Sequence, residues 1–564
     1  MILDILSDIL KNILNELNYE VDAKVIKSNR PDLCDYQFDG VFKLASIYHK
    51  NPIEIGEEIV NRINELDSFN DYFKEVTFVK PGFVNIKISD KLINELLIKM
   101  NENPKFNLEQ KNDELFFIDY GGYNIAKPLH IGHLRPSIVG ESIKRLIEFK
   151  GYKTISDVHL GDFGLQMGEV IYGIKRDNLN VEDITIDYLN KIYPEISKLC
   201  KENEQIKEEC GQITKDLQDG VNEEYTEYWK KIMEVSIDDV KELCDYLCIT
   251  FDMWCGESDA YKYLDKTESL FNAKGLLKQS EGATIIEVAR ETDKKEMPPV
   301  IFKNSKGAYL YPSTDIATII ERVEKYNPDH IIYVTDFRQN LHFEQVFRAC
   351  DLAGIISYDA LEHDYNGTIN GSDGKPYKTR QGGTPKLRDL ISNVKETFIS
   401  KKEDNKDMNK EDIDKIVNAI IKFADLQNNR EKDYIFDIDK FSDVVGKTGP
   451  YILYTYLRIN KIIENKETTT LNDIVYNDYD RNLRLKLLEL ELSVNEAFKY
   501  RMPSYIADYV YDLCVTVNSF YQNNHVNNEE DVIKKNNYIY VLNLTNRIIK
   551  EMLNILAIDI PSVM

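Results

Sequence analysis

A chain of 564 residues, 43% hydrophobic and 30% charged, is ordinary in composition for a folded soluble protein and, at about 100–200 residues per domain, too long for one core. With 71 Lys+Arg against 96 Asp+Glu its formal net charge is −25. That excludes gripping nucleic acid by bulk attraction and confines any RNA contact to local basic and aromatic patches. No apolar run reaches the roughly 18–20 residues of a membrane helix, so no membrane partner is expected.

The opening Met1-Ile-Leu-Asp-Ile-Leu-Ser-Asp-Ile-Leu places acids among apolar residues and reads as an amphipathic helix, not a signal peptide. Residues 1–110 predict a compact α/β module. Asn51-Pro52 starts a helix within it, and two strand-like runs flank the Pro81-Gly82 turn. From Leu115 the pattern becomes strand, glycine turn, helix, strand: Leu115-Phe-Phe-Ile-Asp, Gly121-Gly122, the helical spacing of Val139, Ile143 and Leu146, then Thr154-Ile-Ser-Asp-Val158. This alternation predicts a parallel, doubly wound, Rossmann-like sheet over 111–395, interrupted by an acidic helical insertion at about 176–250. A second α/β passage runs through Ile331-Ile-Tyr-Val334. Strand signals fade beyond about 395, and Leu485, Leu488 and Leu492 keep helical spacing, so 396–564 predicts a helical bundle. The polar stretch Gln522 to Asp531 reads as an exposed loop.

Eight cysteines include no Cys-x-x-Cys pair and no metal-binding set, so no structural zinc or other metal site is expected, and the protein reads as reduced and cytoplasmic.

Two clusters carry chemistry. His130-Ile-Gly-His133 follows a strand and turn and opens a helix, where unpaired N–H groups and the dipole suit phosphate. Gly132 allows close approach, and both imidazoles can donate to an α-phosphate in its transition state. The second cluster, Gly371 to Thr384, is a glycine-bounded loop whose Lys375, Lys378 and Arg380 could close over a leaving pyrophosphate.

His130-Ile-Gly-His133 and Lys375-Pro-Tyr-Lys-Thr-Arg380 resemble the two signature motifs of class I aminoacyl-tRNA synthetases. The words around them resemble the arginine family: Asn124-Ile-Ala-Lys-Pro-Leu, Val158-His-Leu-Gly-Asp-Phe-Gly-Leu-Gln-Met-Gly168, Trp254-Cys-Gly-Glu-Ser258, Tyr311-Pro-Ser-Thr-Asp315, Gln339-Asn-Leu-His342, Ala424-Asp-Leu-Gln-Asn-Asn-Arg430 and the terminal Ile560 to Met564. The resemblance implies arginyl-adenylate formation from arginine and ATP with Mg2+, then transfer to tRNA(Arg), by a monomer that does not act on DNA. It implies that Glu257 and Asp315 take the guanidinium, with Tyr311, Gln339 and Asn124 beside them. It implies adenosine contacts at His159 and Gly161, and a role for Lys127 in compensating the degenerate lysine loop. It further implies tRNA-elbow contacts at Phe83 and Asn85 in the N-terminal module, and anticodon contacts at Tyr451, Tyr454 and Met564. Three departures from the family pattern, Tyr123, Pro136 and Phe163, bear on local turn geometry and on the aromatic platform. A synthetase for another amino acid, a small nucleotidylyltransferase and a non-catalytic tRNA-binding relative are the rival readings.

Overall fold

The computed structural model describes residues 2–110, 112–371, 373–377, 385–401, 408–466 and 470–564, which pack as two compact units. The first comprises Met1–Glu109, Thr455–Asn495 and Tyr509–Lys550. Its amphipathic helix Ile2–Glu16 buries Ile2, Leu6, Leu10, Ile13 and Leu14, the stripe that the opening residues predict. Asn51 accepts from the Ile53 N–H and starts the helix Pro52–Asn64 with proline in its first turn. The two predicted strands, Phe73–Val79 and Phe83–Ile88, pair within a four-stranded antiparallel sheet completed by Ile26–Lys27 and Tyr36–Phe38.

Guanidinium groups bind the helix Asp478–Leu488 to this sheet module. Arg481 donates to Asp35 at 2.6 Å and Asp90 at 3.0 Å. Buried Arg484 forks onto Asp480 and reaches Asn94. The polar stretch Gln522 to Asp531 is mostly exposed, as its composition predicts, but it is pinned at two points. Asn524 is buried, its amide oxygen accepting from Tyr538 at 2.8 Å and Asn477 at 2.7 Å, and Val526 is buried beside it.

The second unit comprises Gln110–Tyr454, Glu496–Asp508 and Glu551–Met564. Its sheet is parallel throughout, in the order Leu361–His363, His330–Val334, Leu115–Tyr120, Lys153–Asp157. Chain order reverses at the central strand Leu115–Tyr120, which opens a crevice beyond the carboxyl ends of the strands. The core against it gathers Phe117, Ile316, Ile319, Ile331, Val346 and Phe347. The insertion forms three helices, Ile186–Glu202, Glu204–Gln218 and Glu223–Tyr246, packed on Leu165–Arg176. Among the described residues beyond 395 one short strand survives: Tyr434–Ile435 pairs in parallel with Ile369–Asn370. Two residues carry no alternation to read, so a helix-only expectation missed it. The C-terminal sequence is otherwise helical, including Asp478–Leu488, Leu490–Tyr500, Ser504–Asn523 and Val532–Ile555. Among the described residues no helix is long and apolar enough to cross a membrane.

Two buried arginines fix the crevice walls. Arg135, on the helix Ile131–Phe149, donates to Asp425 at 3.3 Å and to the Lys432 and Asn429 carbonyls, which accounts for much of the Ala424 to Arg430 motif. Arg322 donates to Asp119 at 2.6 Å and Asp157 at 2.8 Å, at the ends of neighbouring strands, and lies over the Phe117 ring. Burial still holds Asp119 above the usual carboxylate range, with Arg322 opposing the shift. Arg322→Met strands two buried carboxylates. It is expected to lower unfolding free energy by about 3–5 kcal/mol, read as an earlier urea midpoint for this unit. An unmoved midpoint would show that the network is dispensable.

Candidate active site

The helix Ile131–Phe149 begins at the carboxyl end of the central strand, so the positive end of its dipole faces the crevice, while its first N–H, that of Ile131, donates to the Pro385 carbonyl at 3.2 Å. His130 is its N-cap. Its Nδ1 accepts from the Gly132 N–H at 3.1 Å, and the His133 Nδ1 accepts from the His130 N–H at 3.2 Å. The rings stack with centroids 3.9 Å apart. Because each Nδ1 is an acceptor, each neutral ring carries its proton on Nε2. The backbone has thereby fixed both histidines as Nε2–H donors. Burial pushes both pKa values down, with Lys127 contributing, and that of His133 falls to about 3. They stay neutral near physiological pH and act as dipolar donors. A Cβ on Gly132 would lie 2.9 Å from the His130 ring, so glycine is what lets that ring fold back onto the helix start.

The departures at Tyr123 and Pro136 settle into this geometry. Tyr123 is buried, its hydroxyl paired with Ser137 at 2.8 Å and its ring edge-on to His133 at 5.9 Å. The helix runs through Pro136 unbroken. At Phe163 the ring meets Trp229 of the insertion edge-on, and the Trp229 indole N–H donates to the Asp162 carbonyl at 3.0 Å. An indole donor is therefore present beside Phe163, supplied by another element.

A cleft of about 460 Å³ opens at this helix start. His130, Gly132, Asp336, Arg338, Asn366 and Tyr377 are among its lining residues. Lys375 is exposed, and its carbonyl accepts from the Gly371 N–H at 2.8 Å. Pro376 and Tyr377 line the cleft. Lys378 and Arg380 lie outside the described residues. Lys127 stands 4.7 Å from the Tyr193 ring centroid, held by an insertion residue that the motif gave no reason to expect.

Asn124, Gly161 and Glu257 are joined through backbone. Ile125 N–H donates to the Gly161 carbonyl at 3.1 Å, and Glu257 N–H to the Leu160 carbonyl at 3.0 Å. A Cβ at Gly161 would fall 2.8 Å from the Asn124 Oδ1, so this close approach requires glycine. The Asp162 carboxylate, fully buried, accepts from the Ser258 N–H at 3.0 Å and the Ser258 hydroxyl at 2.6 Å, pinning the short helix Glu257–Ala260. Both ring nitrogens of His159 are buried without a hydrogen-bond partner, and its Nδ1 lies 4.0 Å from Asp157.

Glu257 and Tyr311 lie close enough to each other and to Asp315 for those charges to act on them. Burial raises Glu257 to about 7, with Asp162 and Asp315 adding to the rise and His159 opposing it. Tyr311 is exposed over most of its surface, yet partial burial of its phenol, with Glu257 and Asp315 beside it, pushes its pKa up. His342 Nε2 donates to the Asp315 Oδ2 at 2.5 Å. Gln339 is exposed at the end of the turn Phe337–Gln339. The crevice thus presents neutral imidazole donors on one side and a carboxylate pair on another.

Of the RNA candidates, Asn85 is buried, its Oδ1 accepting from Gln37 at 2.8 Å, and Phe83 packs edge-on to Phe42 at 6.3 Å. Tyr451 is half-buried, Tyr454 exposed and Met564 half-buried. Sequence reasoning missed Arg322, Asp162, Trp229 and the pairing of His342. For Asp119 and Asp157 a signal existed: each is an acid closing a strand-like apolar run, where α/β sheets place their crevice.

Residues 2–88 match the family described as Arginyl tRNA synthetase N terminal domain, 93–438 match tRNA synthetases class I (R), catalytic domain, and 452–564 match the DALR anticodon binding domain. The Arginine--tRNA ligase of Alkaliphilus oremlandii is 39% identical over 585 residues, covering 99% of this chain and 99% of that one. That of Agathobacter rectalis is 37% identical over 574 residues, covering 96% and 95%. Among solved structures, the arginyl-tRNA synthetase of Plasmodium falciparum superposes with a TM-score of 0.82 at 27% identity, over 100% of this chain and 99% of that one. The Thermus thermophilus arginyl-tRNA synthetase, at 20% identity and TM-score 0.81 over 100% of both chains, shares the fold. With relatives this similar along its whole length and three matching domains in order, the chain belongs to the arginyl-tRNA synthetases, a class I family.

Proposed function

We propose that this protein joins L-arginine to ATP as arginyl-adenylate, releases pyrophosphate, and passes the arginyl group to the 3′-terminal ribose of tRNA(Arg). The observation that carries the reading is the division of the crevice: two Nε2–H imidazoles at a helix start on one side, the Glu257–Asp315 carboxylates on another. Attack of the arginine carboxylate on the α-phosphate is chiefly a matter of positioning and charge stabilisation. His130 and His133 donate to the α-phosphate as its charge grows, while the positive end of the helix dipole favours the triphosphate and Gly132 leaves room for its close approach. ATP enters as its magnesium complex, and Lys127, Lys375 and Lys378 neutralise the leaving pyrophosphate. Adenosine reaches His159 and Gly161. The guanidinium, a planar fork of five donors, suits two carboxylates with Tyr311, Gln339 and Asn124 as neighbours, whereas lysine would leave the fork unfilled.

Residues 1–110 approach the tRNA elbow through the strand that carries Phe83 and Asn85. Residues 111–395, with the insertion at 176–250, form the catalytic domain. Residues 396–564 read the anticodon through Tyr451, Tyr454 and Met564, stacking on unpaired bases. The enzyme works as a cytoplasmic monomer. Aminoacylation of bulk tRNA with each labelled amino acid tests the assignment. Arginine alone is expected to be charged. Preference for another amino acid would overturn the substrate, and absence of any charging would overturn catalysis.

A further inference from the structure

We propose that His342 is a positioning residue for arginine selection, holding the Asp315 carboxylate in the orientation that receives the substrate guanidinium. The inference rests on the reading that Asp315 belongs to the arginine pocket. His342 lies in the first turn of the helix Asn340–Leu352 and Asp315 in the second turn of Tyr311–Tyr326, so their contact ties together two helices that flank the crevice. The His342 Nε2–H donates to Oδ2 of Asp315. With Oδ2 engaged, Oδ1 is left for the guanidinium, and rotation about the terminal torsion of the aspartate is arrested. Phe343 walls the imidazole, with ring centroids 5.2 Å apart, and itself packs at 4.6 Å on His363, whose Nε2 is paired with Thr335 at 2.8 Å. The histidine is therefore braced on its apolar side and committed to the carboxylate on its polar side. An unbraced Asp315 would be free to turn away from Glu257, whose charge repels it, and arginine would have to reorder it on binding. A short, rigid side chain with one N–H aimed at the carboxylate serves this purpose better than a lysine or arginine, which would compete with the substrate for the same carboxylate.

The test uses the full chain with tRNA present and reads KM for arginine, KM for ATP, kcat and melting temperature in His342→Leu, His342→Asn, His342→Gln, Asp315→Asn and the Leu/Asn double variant. His342→Leu and His342→Asn, which lack a donor at the Nε2 position, are expected to raise KM for arginine roughly tenfold, with KM for ATP unchanged. His342→Gln, whose amide reaches that position, is expected to restore most of the loss. In the Asp315→Asn background His342→Leu should add little, because its effect passes through the carboxylate. Should His342→Leu fail to fold, the Asn and Gln pair decides. Unchanged KM for arginine in the Leu and Asn variants beside an impaired Asp315→Asn overturns the role of His342 alone. So does a loss that Gln leaves unrepaired, or full additivity in the double variant. Unchanged KM in Asp315→Asn overturns the pocket assignment and this inference together.

Discussion

Replacing His133 by alanine is expected to lower tRNA-dependent ATP–pyrophosphate exchange by roughly 10²–10³-fold, the usual consequence of deleting one aligned donor to a developing oxyanion. Affinity for tRNA should be almost unchanged, because the residue faces the crevice at a helix start. The geometry sharpens the expectation. His133 accepts the His130 N–H on Nδ1, so its only donor is Nε2–H, and a pKa of about 3 keeps that tautomer through the neutral range. The rate should therefore show no limb from titration of His133 near neutrality, as it would were the residue a general acid or base. Exchange rate, tRNA affinity and melting temperature measured together decide the matter. Loss of exchange in step with loss of melting temperature or of tRNA binding would make the residue structural, a role its edge-on contact with Tyr123 could serve.

Glu257→Gln should raise KM for arginine by roughly 10–100-fold, as loss of a charge-assisted hydrogen bond does, while KM for ATP stays level. The wild-type pH profile is the second half of the same expectation. Burial, aided by Asp162 and Asp315, raises the Glu257 pKa to about 7. A raised carboxyl is protonated and neutral below that pH, and arginine, cationic throughout, gains its partner only once the proton leaves. KM for arginine should accordingly fall as pH rises and level off above about 7, with up to a tenfold change per unit below it. Glu257→Gln should flatten that limb. Equal loss of arginine and ATP binding, or a wild-type profile already flat through 7, would place the arginine pocket elsewhere.

Four of the cations are paired inside the fold and offer RNA nothing: Arg135, Arg322, Arg481 and Arg484 bond to Asp425, Asp119 and Asp157, Asp35 and Asp90, and Asp480. The net of −25 is a sum over the whole chain and does not describe any one face.

What the sequence determined by itself was whatever depends on local order. Short apolar runs bounded by turn residues located the strands Leu115–Tyr120 and His330–Val334, which are buried on both faces, and period-3.6 patterning located the helix Ile2–Glu16, because side-chain direction repeats along one element. The words Asn124 to His133 and Glu257 to Ser258 carried the family because they are contiguous. Only the tertiary structure decided which atoms meet across hundreds of residues. The tautomers of His130 and His133 follow from backbone geometry at a helix cap. The pKa of Glu257 follows from burial beside Asp162 and Asp315, residues far apart in the chain. The aromatic partner of Lys127 comes from the insertion, and the donor to Asp315 comes from another helix. Long-range desolvation and pairing leave no periodic trace in a sequence. The motifs could therefore name the reactive side chains, while the fold alone fixed their protonation and aim.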